Sequence, residues 1–227
     1  MDATLPTALG LGVVLGLRHA MDADHVAAVS AIVSQQRSVA RSCLLGVFWG
    51  AGHAASLLLA GVALIAFRLT ISAELEHALE MLVAFVLVAL GGHVLLKAAG
   101  ALVSDRPVDV PHGRSGHVDA DATPVPRHVH VLRIGSRPFF VGILHGLAGS
   151  AALTLLALTT MGSAVAGLVY IAVFGLGATV GMLLLSGLIG IPFAVTADRS
   201  PHLQAIVQAG AGAASMVLGA VLIAGSG

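Results

Sequence analysis

The stretch LPTALGLGVVLGLRHAMDADHVAAVSAIV, Leu5 to Val33, decides how this chain is read. It is long and apolar enough to cross a bilayer, which takes about 20 apolar residues in a helix. Yet its middle holds Arg18-His19-Ala20-Met21-Asp22-Ala23-Asp24-His25. A charged side chain at the bilayer centre costs about 3 kcal/mol or more, so ionisable residues there mark a pathway or a site. In a continuous helix of about 100° per residue, Asp22 falls about 60° and His25 about 120° from His19, on one face. Asp24 falls on the far side unless the helix unwinds here. Two imidazoles and a carboxylate on adjoining turns form a ligand set suited to Ni²⁺, Co²⁺ or Zn²⁺ rather than Ca²⁺ or Mg²⁺. The competing reading is an internal ion-pair network, with Arg18 neutralising Asp22 or Asp24. It leaves the paired histidines without a role.

The rest of the chain sets this stretch in a membrane. Hydrophobic residues make up 57% of the 227 and charged residues 10%, with a mean hydropathy of +0.99. Soluble domains carry about 25% charged residues, so a soluble α/β or all-β domain is excluded, and so is disorder. Five further apolar stretches, at roughly 43–67, 77–98, 138–160, 164–191 and 203–225, bring the expected spans to six. None shows the ten-residue alternation of a membrane barrel. The expected fold class is an all-α integral membrane protein of six transmembrane helices.

Charge placement orients it. Arg37 and Arg41 lie in the first connection, Lys97, Arg106, Arg114, Arg127, Arg133 and Arg137 in or beside the third, and Arg199 in the fifth. The second holds only Arg68 beside Glu74 and Glu76. Basic loops stay on the cytoplasmic side, so both termini are expected outside the cell membrane in this multi-pass reading. No Lys or Arg precedes the first apolar run, so a cleaved signal peptide is not expected. Eleven basic against eleven acidic residues excludes nucleic acid as a partner, which needs a net basic footprint. The single cysteine, Cys43, reads as a small buried apolar residue.

Two halves of the chain resemble each other. A shift of 126 residues places Gly16 on Gly142, His19 on His145, Phe48 on Phe174 and Gly61 on Gly187. A shift of 128 sets Gly91 on Gly219. Three spans are an odd number, so a duplicated half enters from the opposite face, the inverted-repeat plan of many secondary transporters. The expected organisation is a first three-helix repeat at 1–98, a cytoplasmic linker at 99–137 and a second repeat at 138–227. The chemistry is not duplicated, because Asp22, Asp24 and His25 slide onto Ala148, Ser150 and Ala151.

Other histidines are candidates to complete a metal shell. His53 follows Gly50-Ala51-Gly52 near the middle of the second span, and His145 lies about two turns inside the fourth. Small neighbours allow helices to approach closely there. His93 follows Gly91-Gly92, while His77 and His202 read as interfacial. A lone membrane histidine is more often a satisfied hydrogen-bonding residue than a ligand. The linker carries His112, His117, His128 and His130 among Asp109, Asp119 and Asp121. It reads either as a polar connector or as a weak, exchangeable metal store at the cytoplasmic mouth, where a metallochaperone is a candidate partner.

The motif Arg18-His19-Ala20-Met21-Asp22-Ala23-Asp24-His25-Val26 resembles the signature of the nickel/cobalt permeases, whose core is a histidine, four residues, then Asp-His. Phe48-Trp49-Gly50-Ala51-Gly52-His53 is similar to that family's next helix motif, in which Gly-His follows an aromatic pair. Longer members carry Asp-Thr motifs in later helices. Here the corresponding positions, around His145 to Ser150 and Gly177 to Gly181, have no carboxylate. The resemblance is therefore to the shorter, urease-accessory-type nickel permeases. It implies that His19, Asp22, Asp24 and His25 recognise the metal, that His53 supports them, and that Ni²⁺ or Co²⁺ is the transported substrate.

The function expected is a secondary permease for divalent transition metals, acting in either direction, with the lipid bilayer as its surroundings and no catalytic cofactor. The alternative is a membrane-embedded metalloenzyme. Against it, the chain has no His-Glu-x-x-His helix and no nucleophile constellation. Nor has it a phosphate-cradling Gly-x-x-x-x-Gly-Lys-Ser/Thr loop for ATP-driven pumping.

Overall fold

The computed structural model describes residues 4–67, 72–103, 127–149 and 163–225, and among these every regular element is an α-helix. The first apolar stretch is not one helix. Helix α1 (Thr4–His19) stops at the polar segment and α2 (Ala23–Val33) starts after it. Tight turns close α1, with the Met21 N–H donating to the Arg18 carbonyl at 2.9 Å and the Asp22 N–H to that of His19 at 3.0 Å. Asp22 then adopts an extended backbone (φ −62°, ψ 149°), and its carbonyl accepts from the Val26 N–H at 3.0 Å. Aspartate is a weak helix former in an interior but favourable in a first turn, where its charge meets the positive end of the helix dipole. Met21-Asp22-Ala23-Asp24 therefore ends one helix and begins another. The helix is interrupted here, the condition under which Asp24 is not confined to the far side, and His19 still meets Asp22 and His25.

Among the described residues, four helices are long and apolar enough to cross a membrane: α3 (Val39–Phe67), α4 (Ala73–Val103), α6 (Ala164–Arg199) and α7 (Pro201–Gly225). Ser163 caps α6 by accepting the Ala166 N–H at 3.2 Å. Pro201, which needs no partner for a missing N–H, opens α7. Helix α5 (Arg127–Ala148) begins inside the stretch read as a linker, and residues 99–103 belong to α4. The rest of that stretch, 104–126 with His112, His117, Asp109, Asp119 and Asp121, lies outside the described residues, as do 150–162. The side chains of His128 and His130 are likewise outside them.

Glycine determines how the helices meet. Gly16 of α1 lies against the Phe174 carbonyl and the Ala178 amide of α6, and further along Gly181 lies against Leu17 and Ala20. Numbers rise together, so α1 and α6 run parallel. Gly52 lies against Phe139 and Gly146 against His53, so α3 and α5 also run parallel. Gly46 meets Met182 while Gly61 meets Ile171, which makes α3 and α6 antiparallel. Gly91 meets Gly212 and Gly219 meets Ala84, so α4 and α7 are antiparallel too. Such backbone-to-backbone packing is what holds helices together where lipid offers no hydrophobic contrast.

Outside this packing the surface is apolar. Leu59, Phe67, Phe85, Leu96, Leu176 and Leu188 are all more than half exposed. A continuous apolar exterior belongs against lipid tails, not water. The chain is a membrane protein.

Candidate metal centre

At the heart of the bundle stand four histidines from four helices. His19 ends α1, His25 sits in the first turn of α2, His53 is midway along α3 and His145 lies in the last turn of α5. His53 is the fifteenth of 29 residues in α3, roughly 21 Å from either end at 1.5 Å per residue. His25, His53 and His145 are buried, while His19 keeps partial exposure. Ring centroids lie 4.6 Å apart for His19 and His25, 5.1 Å for His19 and His53, 5.3 Å for His25 and His53, and 4.9 Å for His25 and His145.

Two sets of donor atoms converge within 4.8 Å of one another: His19, His25 and His53, and Asp24, His25 and His145. His25 belongs to both. The carboxylate of Asp24 bridges two imidazoles, with Oδ1 3.2 Å from His25 Nδ1 and Oδ2 3.3 Å from His145 Nε2. Asp22 pairs instead with His19 Nδ1 at 2.8 Å and is more than half exposed. The break between α1 and α2 thus places Asp24 among the buried histidines and leaves Asp22 at the edge, the reverse of the continuous-helix expectation. When Nδ1 of His19 or His25 donates to its carboxylate, Nε2 keeps its lone pair for a cation. Metal-binding histidines are commonly oriented in this way.

Several of these nitrogens have nothing to bind. His25 Nε2, both ring nitrogens of His53 and His145 Nδ1 are buried without a hydrogen-bond partner among the described residues. An unsatisfied buried polar atom costs about 1–3 kcal/mol, and native structures rarely tolerate several in one place. Converging imidazole lone pairs that the surrounding protein does not use are suited to a borderline transition-metal ion.

The backbone also contributes. The negative end of the α1 dipole and the positive end of the α2 dipole both face the cluster. Asp24, in the first turn of α2, offsets the field that would otherwise repel a cation. Discontinuous helices of this kind form ion sites in membrane transporters.

Sequence reasoning missed the aromatic wall. Trp49, the only tryptophan in the chain, stacks on His25 at 5.9 Å with a 10° interplanar angle. It also meets His145 edge-on at 5.5 Å, and Phe174 approaches His19 at 5.4 Å. The signal was present, because Trp49 lies four residues before His53 and therefore on the same face of α3. His93 is not part of the cluster; it is exposed and lines a separate cavity with Gln35, Gln36 and Arg137. His77 and His202 lie near helix starts and belong to neither donor set.

Close helix contact holds the wall in place. A Cβ on Gly142 would stand 2.5 Å from Trp49 Cδ1 and 3.0 Å from the His53 amide. Gly142→Ala is expected to push α5 from α3 and destabilise the protein by about 1–3 kcal/mol. Thermal unfolding in detergent should show a lower midpoint, alongside weaker nickel binding as His145 is displaced.

The chain is a helical membrane protein whose described residues include buried histidine and carboxylate groups that could hold a metal ion. The chain is 42% identical over 200 residues to the urease accessory protein UreH of Bacillus sp. (strain TB-90), covering 88% of this chain and 83% of that protein. It belongs to the UreH family. No family model and no solved structure matches it.

Proposed function

We propose that this chain is a secondary permease for divalent transition-metal ions, with nickel the foremost cargo and cobalt the next. The observation that carries this reading is the set of buried, unpartnered imidazole nitrogens around Asp24 at the middle of the bundle. An ion leaving water must exchange its aqua ligands for fixed protein donors, and His19, His25, His53, His145 and Asp24 offer nitrogen and oxygen of the right softness. Asp22 orients His19. The resemblance of the first two motifs to nickel/cobalt permeases supports the choice of metal. So does the urease-accessory name of the relative.

The scaffold reading is six spans in two inverted three-helix repeats, with both termini outside the cell membrane. Its support is directional. Under the repeat, α3 corresponds to α6 and α4 to α7, and each pair runs antiparallel. The first span corresponds to the span begun by α5. Because α1 runs with α6, α5 with α3, and α3 against α6, these first spans also oppose each other. A site at the junction of such repeats lies near the midplane, in agreement with the position of His53. The chain is read as a carrier, a reading supported by the accessory-protein name of the relative and by the donor set of the cluster. The linker histidines serve as an exchangeable store at the cytoplasmic mouth, where a metallochaperone would load or unload.

The test is radioactive nickel and cobalt flux into proteoliposomes holding this chain alone, under an imposed pH gradient or membrane potential. Saturable nickel flux without any partner protein is expected. Absence of flux for both metals under every gradient would overturn the permease reading.

A further inference from the structure

A cavity of about 370 Å³ is lined both by residues of the cluster and by exposed residues. Asp24, His25 and His145 form its inner wall, with His19 beside them. Its outer boundary includes Glu80 of α4 and Leu222 of α7, both exposed. Glu80 lies three residues before Val83, which is buried in the core and lines the same cavity. The ionisable residues lining the cavity are two carboxylates and three histidines; no Lys or Arg is among the described lining residues.

We infer that Glu80 is an outer docking carboxylate, which captures a hydrated divalent cation at the cavity mouth and passes it to the histidine cluster. The inference rests on the permease reading. A charge at the mouth of a low-dielectric cleft focuses the field and raises the local concentration of the oppositely charged solute. Inside, the buried and unpartnered His25 Nε2 supplies a ligand that takes the ion once water is shed. Glu80 attracts without dehydrating. It governs how often an ion arrives, not how tightly the cluster holds it. Glu74, six residues earlier on the same helix, carries the same charge and does not line the cavity. It is the natural control.

The experiment compares wild type, Glu80→Gln and Glu74→Gln in proteoliposomes with the chain inserted in one orientation. Initial nickel uptake is measured against external nickel, and equilibrium nickel binding is measured on the purified chain by calorimetry. Glu80→Gln is expected to raise the half-saturating nickel concentration about three- to tenfold at low salt. Its maximal rate and equilibrium affinity should stay within about twofold of wild type, and the deficit should shrink in high salt. Glu74→Gln should behave as wild type. Three results overturn the inference while leaving the permease reading intact: uptake by Glu80→Gln that matches wild type, an equal deficit in Glu74→Gln, or equilibrium binding that falls as far as uptake. Wild-type protein that neither binds nor moves nickel would overturn both.

Discussion

Replacing His25 by Ala is expected to weaken nickel binding by more than about 100-fold, or about 3 kcal/mol, and to stop transport. Changes to groups that merely orient metal ligands cost about 10- to 100-fold, so loss of a direct ligand should exceed that range. His25 is the one residue common to both converging donor sets. It also holds Asp24 through Nδ1 and stacks on Trp49. The variant should still fold. Alanine is a strong helix former in α2, and the change removes a buried nitrogen that has no partner among the described residues. Calorimetry with nickel, paired with size-exclusion chromatography in detergent, separates lost binding from lost structure. A monodisperse His25→Ala protein that binds nickel like wild type would remove this residue from the site.

The second large effect separates two neighbouring carboxylates. Asp24→Asn should reduce nickel affinity about 10- to 100-fold, whereas Asp22→Asn should change it by less than about threefold. Asp24 pairs with His25 Nδ1 at 3.2 Å and stands 3.3 Å from His145 Nε2, and an amide offers one acceptor oxygen and a donor where the second acceptor stood. One of the two rings must then reorient. Asp22 pairs with His19 and is more than half exposed, where such a pair contributes little. A continuous helix from Leu5 to Val33 would give the opposite order. Side-by-side nickel titration of the two variants therefore tests the helix break as well as the site.

What the sequence disclosed, and what it concealed, follows from this break. Long apolar runs such as Val39–Phe67 and Ala164–Arg199 were legible because spanning length and composition are local properties. The histidine and carboxylate cluster was legible because ionisable residues are conspicuous in such runs. Angular positions were not, since the 100° rule holds only while the helix does. Two aspartates spaced two apart are ambiguous: either can cap a new helix. The cap at Asp22 turned Asp24 inward. His53 and His145 were nominated by the glycines around them, and Gly142 and Gly146 do bring α5 onto α3 at that level. Trp49 was seen only as half of an aromatic pair in a motif, and Glu80 carried no signal of its own. Only the fold places one against His25 and the other on the cavity that His25 also lines.

The central claim is that the metal binds among the buried histidines of the bundle, not on the polar linker. X-ray absorption at the nickel edge, on nickel-loaded protein in detergent, tests it most directly. Three samples decide: wild type, His25→Ala, and the variant with His112, His117, His128 and His130 all changed to Ser. Wild type should show the multiple-scattering pattern of several imidazoles mixed with oxygen ligands. The linker variant should keep that pattern, because none of the four substitutions touches the converging donors of the bundle. His25→Ala should lose it. If the imidazole pattern instead survives in His25→Ala and vanishes in the linker variant, the ion is held outside the bundle and the buried site is contradicted.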